Sequence, residues 1–166
     1  MSEQRIAFLV KKVNCSDRAK STLTVLSYIA TVFSVVVFIY MLINFALQSA
    51  LVLVSFFITL GVPFVLVSSL RRVIKAPRPY ELYDFLENPV KNSTGNSFPS
   101  RHSFSIFAIG ALCLFVSLPV GIITLALGVV LCFCRVALGL HFVRDVLAGA
   151  LVGLTTSLIG GFVFIY

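Results

Sequence analysis

Both histidines of the chain lie in two short polar segments that interrupt long apolar runs. In the second segment, His141 and Asp145 are four residues apart, so on a helix they would share one face. A carboxylate beside an imidazole fixes the tautomer of the ring and stabilises the cation that forms when the ring reacts. Arg135 ends the preceding apolar run, and its planar guanidinium suits an anionic partner such as phosphate. Taken alone, this segment also fits a basic flank with an incidental histidine.

The first polar segment, residues 71–102, adds a cluster of cations and a predicted helix start. Four of its cations lie within eight residues: Arg71, Arg72, Lys75 and Arg78. Ser100 precedes an apolar run and is a predicted N-cap, and the N-terminus of a helix binds anions. His102, in the first turn, can donate a proton to a leaving oxygen. A basic loop with a serine cap is the alternative, but it does not explain why the arginines, the helix start and both histidines coincide.

If the two polar segments face each other, their residues can perform phosphoryl transfer. The guanidinium groups would neutralise the phosphoryl group and its transition state. One histidine would attack phosphorus to give a phosphohistidine, and the other would protonate the departing oxygen. This chemistry requires neither a metal nor another cofactor. The alternative is a Mg²⁺ site on Glu81, Asp84 and Glu87, although their spacing fits no metal-binding loop.

The helices that must position these residues can be located from the segments of the sequence that carry no charge. Residues 21–70, 103–134 and 146–166 contain no Asp, Glu, Lys or Arg, so all 19 charged residues lie in the other 63 positions. A water-soluble globule needs a charged face on nearly every surface helix, so this distribution excludes one. It also excludes a disordered chain, a disulfide scaffold and a free nucleic-acid-binding domain. The sequence therefore predicts a multi-spanning membrane protein with no nucleic-acid partner.

The apolar runs predict helical spans, because about 20 helical residues cross the hydrocarbon core of a bilayer. Three spans are predicted near Leu23–Asn44, Ser49–Leu70 and Val146–Tyr166. The runs are continuous and lack the alternation of a membrane barrel. Residues 1–20 form a basic flank, in which residues 5–13 can form a short helix on the membrane surface. We expect no cleavable signal peptide, because the first apolar run is itself long enough to span.

Residues 103–134 allow two interpretations, because 32 residues are too many for one span and few for two. Two spans, His102–Leu118 and Pro119–Leu140, would place both polar segments on the same side, with Pro119 in the first turn of the second span. A single tilted helix would place them on opposite sides. Either way, the sequence predicts one all-α membrane helix bundle over residues 1–166.

Two motifs in the first polar segment resemble those of the type 2 phosphatidic acid phosphatases. This family is the membrane branch of a superfamily that also holds bacterial acid phosphatases and vanadium haloperoxidases. Its first motif is Lys, six residues and Arg-Pro; here the chain has Arg71, six residues and Arg78-Pro79. Its second motif is Pro-Ser-Gly-His, and here it reads Pro99-Ser100-Arg101-His102.

The third motif of the family is Ser-Arg, five residues, His, three residues and Asp. The second polar segment matches it with Cys134-Arg135, His141 and Asp145 at the same spacings. The resemblance implies that His141 is the nucleophile, Asp145 its orienting partner and His102 the general acid. The implied phosphate ligands are Arg71, Arg78, Ser100, Arg135 and the backbone N–H of Arg101.

The chain departs from the family pattern at three positions. Arg71 replaces the lysine, which keeps the charge and changes the geometry, and Lys75 competes for the same role. Arg101 replaces the glycine, so its side chain either points away or adds a further anion contact. Cys134 replaces the serine and removes a hydroxyl. The family usually has a six-helix core, whereas about five transmembrane helices are predicted here, so the basic N-terminal segment would stand in for the missing helix.

The resemblance implies an integral-membrane lipid phosphatase, with two spans between the motifs. Its lipid phosphate substrate would be phosphatidate, phosphatidylglycerophosphate or a polyprenyl diphosphate. The alternatives are a non-catalytic phospholipid-binding membrane protein and a small transporter, which would need ionisable groups deep inside the spans. Five spans place residues 1–20, the predicted active-site loop 71–102 and residues 141–145 on one side. The positive-inside rule puts that side of the cell membrane in the cytoplasm.

Overall fold

The computed structural model of the chain describes residues 3–83, Leu86 and residues 95–164. These residues form helices and contain no strand. In chain order the helices are α1 (Glu3–Asn14), α2 (Asp17–Gln48), α3 (Ala50–Ile74), α4 (Pro79–Leu82), α5 (Arg101–Cys113), α6 (Leu118–Ala137) and α7 (Val143–Phe164). The predicted all-α architecture is confirmed.

Four helical segments of the described chain are long and apolar enough to cross a membrane. They are Asp17–Gln48, Ala50–Leu82, Leu118–Ala137 and Val143–Val163. Large apolar side chains on these helices, such as Ile58, Val129 and Leu151, are exposed on the surface of the bundle, where lipid can cover them. The chain is therefore a multi-pass membrane protein.

Serine side chains cap the N-termini of several helices. The hydroxyl of Ser16 accepts a hydrogen bond from the N–H of Ala19 at the start of α2, and that of Ser49 accepts one from the N–H of Val52 at the start of α3. Each hydroxyl satisfies a backbone N–H that has no acceptor within its own helix. Ser49 alone separates α2 from α3, so the predicted break between Asn44 and Ser49 narrows to its last residue.

Residues 102–140 form two helices, α5 and α6, and not a single tilted helix. Of the two predicted spans only α6 is among the four segments long enough to cross a membrane, so the described chain has four candidate spans where about five were predicted. Helix α5 has 13 residues, about 20 Å of helix, and is shorter than the predicted span. It ends early because residues 114–116 form a tight turn, in which each N–H bonds to the carbonyl oxygen three residues before it. Helix α6 then begins at Leu118 with Pro119 in its first turn, as predicted.

Two helix ends differ from the predicted spans in a way that matters for the polar segments. Helix α3 continues to Ile74, so Arg71 belongs to its last turn and not to a loop. A cation is favourable there because the C-terminus of a helix carries partial negative charge. Helix α7 begins at Val143, which places Asp145 in its first turn.

Helix α5 packs against α7 through glycines. A Cβ on Gly149 would collide with the carbonyl oxygen of Ser100, and one on Gly153 would lie 3.0 Å from the backbone N of Ala108. Small residues four apart let two membrane helices approach closely. This contact fixes the start of α5, which carries the second motif, against the start of α7, which carries Asp145 of the third motif.

Helix α1 packs at the same end of the bundle as both polar segments. Its Val10 is buried in a cluster with Tyr80 and Leu86, against which Leu140 also packs. The side-chain amide of Asn14 donates a hydrogen bond to the carbonyl oxygen of Ala137, at 3.4 Å. The basic N-terminal segment therefore forms the predicted short helix.

Candidate active site

The last turn of α3 fixes Arg71 beside the start of α5. The Arg71 side chain is buried, with 5% of its surface exposed. Its Nη1 donates a hydrogen bond of 2.7 Å to the carbonyl oxygen of Pro99. One nitrogen of the guanidinium therefore ties α3 to the residue before Ser100, and the others remain to bind an anion.

Lys75 and Arg78 follow the last turn of α3, and they differ in exposure and in hydrogen bonding. Lys75 is exposed and adopts a left-handed conformation (φ 48°), and its backbone N–H closes the helix by bonding to the carbonyl oxygen of Arg71. Arg78 is half-buried, and its Nε donates to the carbonyl oxygen of Gly95 at 3.3 Å. Glu81 accepts from the N–H of the same glycine at 2.6 Å. Arg78 and Glu81 together hold the chain that enters the second motif.

Ser100 is the N-cap of α5, as predicted. Its hydroxyl oxygen accepts from the N–H of Ser103 at 3.4 Å and from the hydroxyl of Ser103 at 3.1 Å. Its backbone N–H donates to the carbonyl oxygen of Asp145, at 2.9 Å. The amides of Arg101 and His102 come next, at the helix positions whose N–H groups have no intrahelical acceptor. The helix start therefore presents amides and the proton of the Ser100 hydroxyl beside the third motif.

His141 lies in the connection between α6 and α7. His141 and Asp145 were expected to share a face of one helix, but His141 precedes α7 and only Asp145 belongs to that helix. Helix α6 ends at Ala137, and Gly139 (φ 71°) turns the chain in a conformation that favours glycine. The N–H of His141 then bonds to the carbonyl oxygen of Arg135 at 3.3 Å. The turn brings His141 back over the end of α6.

Asp145 is fully buried and reaches His141 in part through Ser97. Its Oδ2 accepts hydrogen bonds from the hydroxyl of Ser97 and, at 3.0 Å, from the N–H of Phe142. The same Oδ2 lies 3.7 Å from Nδ1 of His141, and the Ser97 hydroxyl oxygen lies 3.3 Å from that nitrogen. Sequence reasoning missed Ser97, because it belongs to none of the three motifs and no spacing relates it to His141.

Burial lowers the pKa of His141, although the neighbouring Asp145 carboxylate opposes this shift. The positive charges of Arg78 and Arg71 lower that pKa further. The ring is therefore neutral at neutral pH, which leaves one of its nitrogens with a free lone pair. With Ser97 and Asp145 at Nδ1, that nitrogen is Nε2.

The predicted cations and the second histidine gather around this pair. His102 lies close enough to Arg71, Arg135 and His141 for their charges to interact with it, and Arg135 interacts with Arg78. Nε of Arg135 is buried and has no hydrogen-bond partner among the described residues. A buried guanidinium nitrogen without a partner is costly unless an anion fills the site. The structure therefore brings together the predicted residues of all three motifs, while Lys75 remains exposed at the end of α3.

An apolar cavity of about 550 Å³ extends from this cluster into the bundle. Arg101 and His102 line it together with side chains of α2, α3 and α5, such as Phe38, Phe64 and Ile109. The α5 residues from 101 to 109 follow about 12 Å of the helix axis. The cavity therefore leads from the charged cluster along α5, between apolar side chains of which Phe57 and Phe64 are partly exposed on the surface of the bundle.

The alternative Mg²⁺ site is only partly within the described chain. The Glu81 carboxylate holds the N–H of Gly95, whereas Asp84 and Glu87 lie outside the described residues. In residues 3–83, 86 and 95–164, no three His, Cys, Asp or Glu side chains form a group that could hold a metal ion.

The fold is similar to that of two solved structures. LpxE of Aquifex aeolicus matches with a TM-score of 0.69 and 24% identity, over 93% of this chain and 93% of that one. A PAP2 type phosphatidylglycerolphosphate phosphatase from Bacillus subtilis matches with a TM-score of 0.69 and 23% identity, over 95% and 83% of the two chains. A curated relative, the bacitracin transport permease protein BcrC of Bacillus licheniformis, is 31% identical over 81 residues, or 49% of this chain. The chain aligns with about 40% of the length of that relative.

The family model of the PAP2 superfamily matches residues 52–163, which is more than half of the chain. The matched range contains the last turn of α3, the start of α5 and the connection from α6 to α7, and thus all three motifs. The family resemblance inferred from the motifs is confirmed, and the chain belongs to the PAP2 superfamily.

Proposed function

We propose that the protein is an integral-membrane lipid phosphatase that hydrolyses a phosphomonoester or diphosphate of a lipid. The observation that carries the proposal is one cluster of arginines and two imidazoles, of which Arg101 and His102 line an apolar cavity. The cluster suits a phosphate group, and the cavity suits the hydrocarbon chain of a lipid attached to that phosphate. A soluble phosphate ester would not need such a cavity.

The phosphate would be bound by Arg71, Arg78, Arg135 and the start of α5. At that start, the Ser100 hydroxyl already accepts two hydrogen bonds and has its own proton to donate, and the N–H of Arg101 follows it. We assign the first-motif role to Arg71, because it is buried beside Pro99 while Lys75 is exposed. Charged hydrogen bonds of this kind are the strong ones in phosphate recognition.

The first chemical step would be attack by His141 on phosphorus. Nε2 forms the bond to phosphorus as the bond to the leaving oxygen breaks, and the electron pair stays on that oxygen. Burial, together with the positive charges of neighbouring residues such as Arg135, lowers the pKa of His102 to about 3. The negative charge of the bound phosphate would oppose this shift and favour the protonated ring, which then gives the oxygen its proton. Ser97 and Asp145 hold Nδ1 and stabilise the positive charge that develops on the ring. The products of this step are a phosphohistidine and a dephosphorylated lipid.

Water would complete the reaction. His102, now neutral, takes a proton from the water that attacks phosphorus. The bond from phosphorus to Nε2 breaks, inorganic phosphate leaves, and both histidines return to their starting state. The step uses no metal, so EDTA should leave the rate unchanged, and strong inhibition would favour the metal alternative.

Gly61 offers a test of where the lipid chain binds. It lines the cavity in α3, and a Cβ at this position would meet no protein atom within 4 Å. Gly61→Leu should therefore fold and fill part of the cavity. We expect kcat/KM for dioleoyl phosphatidate to fall by about ten- to one-hundred-fold, since a displacement of about 1 Å at the reacting group costs on the order of 10².

The control for this substitution is a substrate without a lipid chain. Hydrolysis of p-nitrophenyl phosphate should be the same for Gly61→Leu and wild type, and Gly61→Ala should resemble wild type on both substrates. Equal activity of Gly61→Leu and wild type on dioleoyl phosphatidate would show that the acyl chains of the lipid bind elsewhere.

Purified protein and a panel of lipid phosphates test the proposed function itself. We expect phosphate release from at least one of phosphatidate, phosphatidylglycerophosphate and undecaprenyl diphosphate. Binding of these lipids without release would favour a non-catalytic phospholipid-binding protein. The name of the BcrC relative points to transport, but a transporter needs ionisable groups deep in its spans. The four long helices carry their charged residues near their ends.

We also propose that the site faces the cytoplasm. Support comes from the basic residues Lys11, Lys12, Arg18 and Lys20, which lie at the same end of the bundle as the site and are not part of it. A cysteine in place of Lys12, in a chain with Cys15 replaced by serine, should resist an impermeant thiol reagent in intact cells. Labelling in intact cells would place the site on the outer face.

A further inference from the structure

Arg101 stands where the family motif has glycine, so the motif itself needs no side chain at this position of the site. It is the first residue of α5, it is exposed, and it lines the cavity beside His102. Arg71 and Arg78 each donate to a carbonyl oxygen, whereas Arg101 makes no side-chain hydrogen bond or ion pair within the part of the chain that the structure describes. Its guanidinium is therefore available to a ligand.

The position of Arg101 relates it to one particular part of a substrate. In the proposed mechanism the leaving oxygen must lie within reach of the His102 ring, opposite the attacking His141. The group attached to that oxygen then lies between His102 and the cavity that takes the lipid chain. Arg101 lines this passage. A neutral glycerol ester would give its guanidinium no partner there, whereas a second phosphate would accept two parallel hydrogen bonds from it.

We infer that Arg101 is a specificity-determining residue that selects lipid diphosphates over lipid monophosphates by binding the inner phosphate. The inference rests on the proposed phosphatase function and names the substrate class of the same site. It also gives a role to the arginine that stands where the family motif has glycine.

The reaction with a diphosphate follows the same bonds as the general mechanism. Nε2 of His141 bonds to the terminal phosphorus, the bond from that phosphorus to the bridging oxygen breaks, and the electron pair stays on the bridging oxygen. The inner phosphate remains on the lipid, so the leaving group is a lipid monophosphate. Arg101 and the proton from His102 neutralise the charge that develops on it. Water then releases inorganic phosphate from His141.

Farnesyl diphosphate and farnesyl monophosphate are matched probes, because they carry the same chain and differ by one phosphate. We expect the purified wild-type chain to have the higher kcat/KM for the diphosphate, measured as initial phosphate release. In Arg101→Gln the ratio of the two kcat/KM values should fall by about ten- to one-hundred-fold, the usual effect of losing a charged hydrogen-bonded pair. Arg101→Lys keeps the charge but not the planar fork, so its ratio should lie between the two.

Arg72→Gln is the matched control. Arg72 is an exposed arginine in the last turn of α3 and belongs to none of the motif positions, so this variant should keep the wild-type ratio. The inference is overturned if Arg101→Gln lowers both values equally or leaves the ratio unchanged. It is also overturned if the wild type hydrolyses phosphatidate but not farnesyl diphosphate. No release from any of the three lipids would instead contradict the proposed function.

Discussion

Replacing His141 with alanine should lower the rate of phosphate release from lipid phosphates by at least about three orders of magnitude. The imidazole is the proposed nucleophile, and removing a nucleophile that forms a covalent intermediate costs several orders of magnitude in kcat. His102 is not expected to take its place, because in the proposed mechanism it lies on the side of the leaving group. The measurement is the initial rate of phosphate release by purified protein in detergent.

His141 is buried, so the loss of activity must be separated from a loss of structure. His141→Gln keeps a polar side chain of similar size and should be as inactive as His141→Ala, with a thermal unfolding midpoint near that of wild type. Ser157→Ala is the control for removing a buried polar group: Ser157 is buried in α7, outside the site, and its hydroxyl has no partner among the described residues. It should keep full activity. A rate within tenfold of wild type for a folded His141→Gln protein would rule out His141 as the nucleophile.

Replacing Asp145 with asparagine should lower kcat by about 10²- to 10⁴-fold with little change in KM. The amide oxygen of asparagine can still accept from the Ser97 hydroxyl and the Phe142 N–H, so the geometry around His141 can persist. What is lost is the negative charge that stabilises the imidazolium as His141 attacks. Steady-state kinetics on phosphatidate, together with the thermal unfolding midpoint, measure both effects.

Asp17→Asn is the matched control for this charge, because Asp17 is also an acidic residue in the first turn of a long helix but is exposed. It should leave kcat and KM unchanged. If Asp145→Asn raised KM and left kcat intact, the carboxylate would act on substrate binding rather than on the nucleophile.

The helices could be predicted from the sequence because the bilayer leaves a simple signal. A charge-free run of 50 residues contains two spans, and Ser49 separates them as an N-cap. The ends were harder to predict, because capping and turns decide them. Arg71 and Asp145 lie inside helices because a terminal turn tolerates a charge that the centre of a span does not. The tight turn after Cys113 could not be predicted, because residues 114–116 are Leu, Phe and Val, none of which is typical of a turn.

The site could be predicted where a motif fixes both residue type and spacing. His102, His141, Asp145 and the motif arginines meet because the ends of α3 and α6 and the starts of α5 and α7 lie at the same end of the bundle, as the family resemblance implied. Ser97 could not be found, because its contact with His141 spans 44 residues and depends on the fold. The shared helical face proposed for His141 and Asp145 was wrong: a turn at Gly139, not a helix, carries His141 towards the carboxylate.

The most direct test of the account is to look for a phosphoryl group on His141. Wild-type protein turning over a lipid phosphate would be quenched in alkali, digested and analysed by mass spectrometry. We predict one phosphoryl group on the peptide that contains His141, stable in base and lost in acid, and none on that peptide in His141→Ala. An active wild-type protein that carries the phosphoryl group on another residue, or on none under conditions where release of phosphate from the protein is slow, would contradict the account.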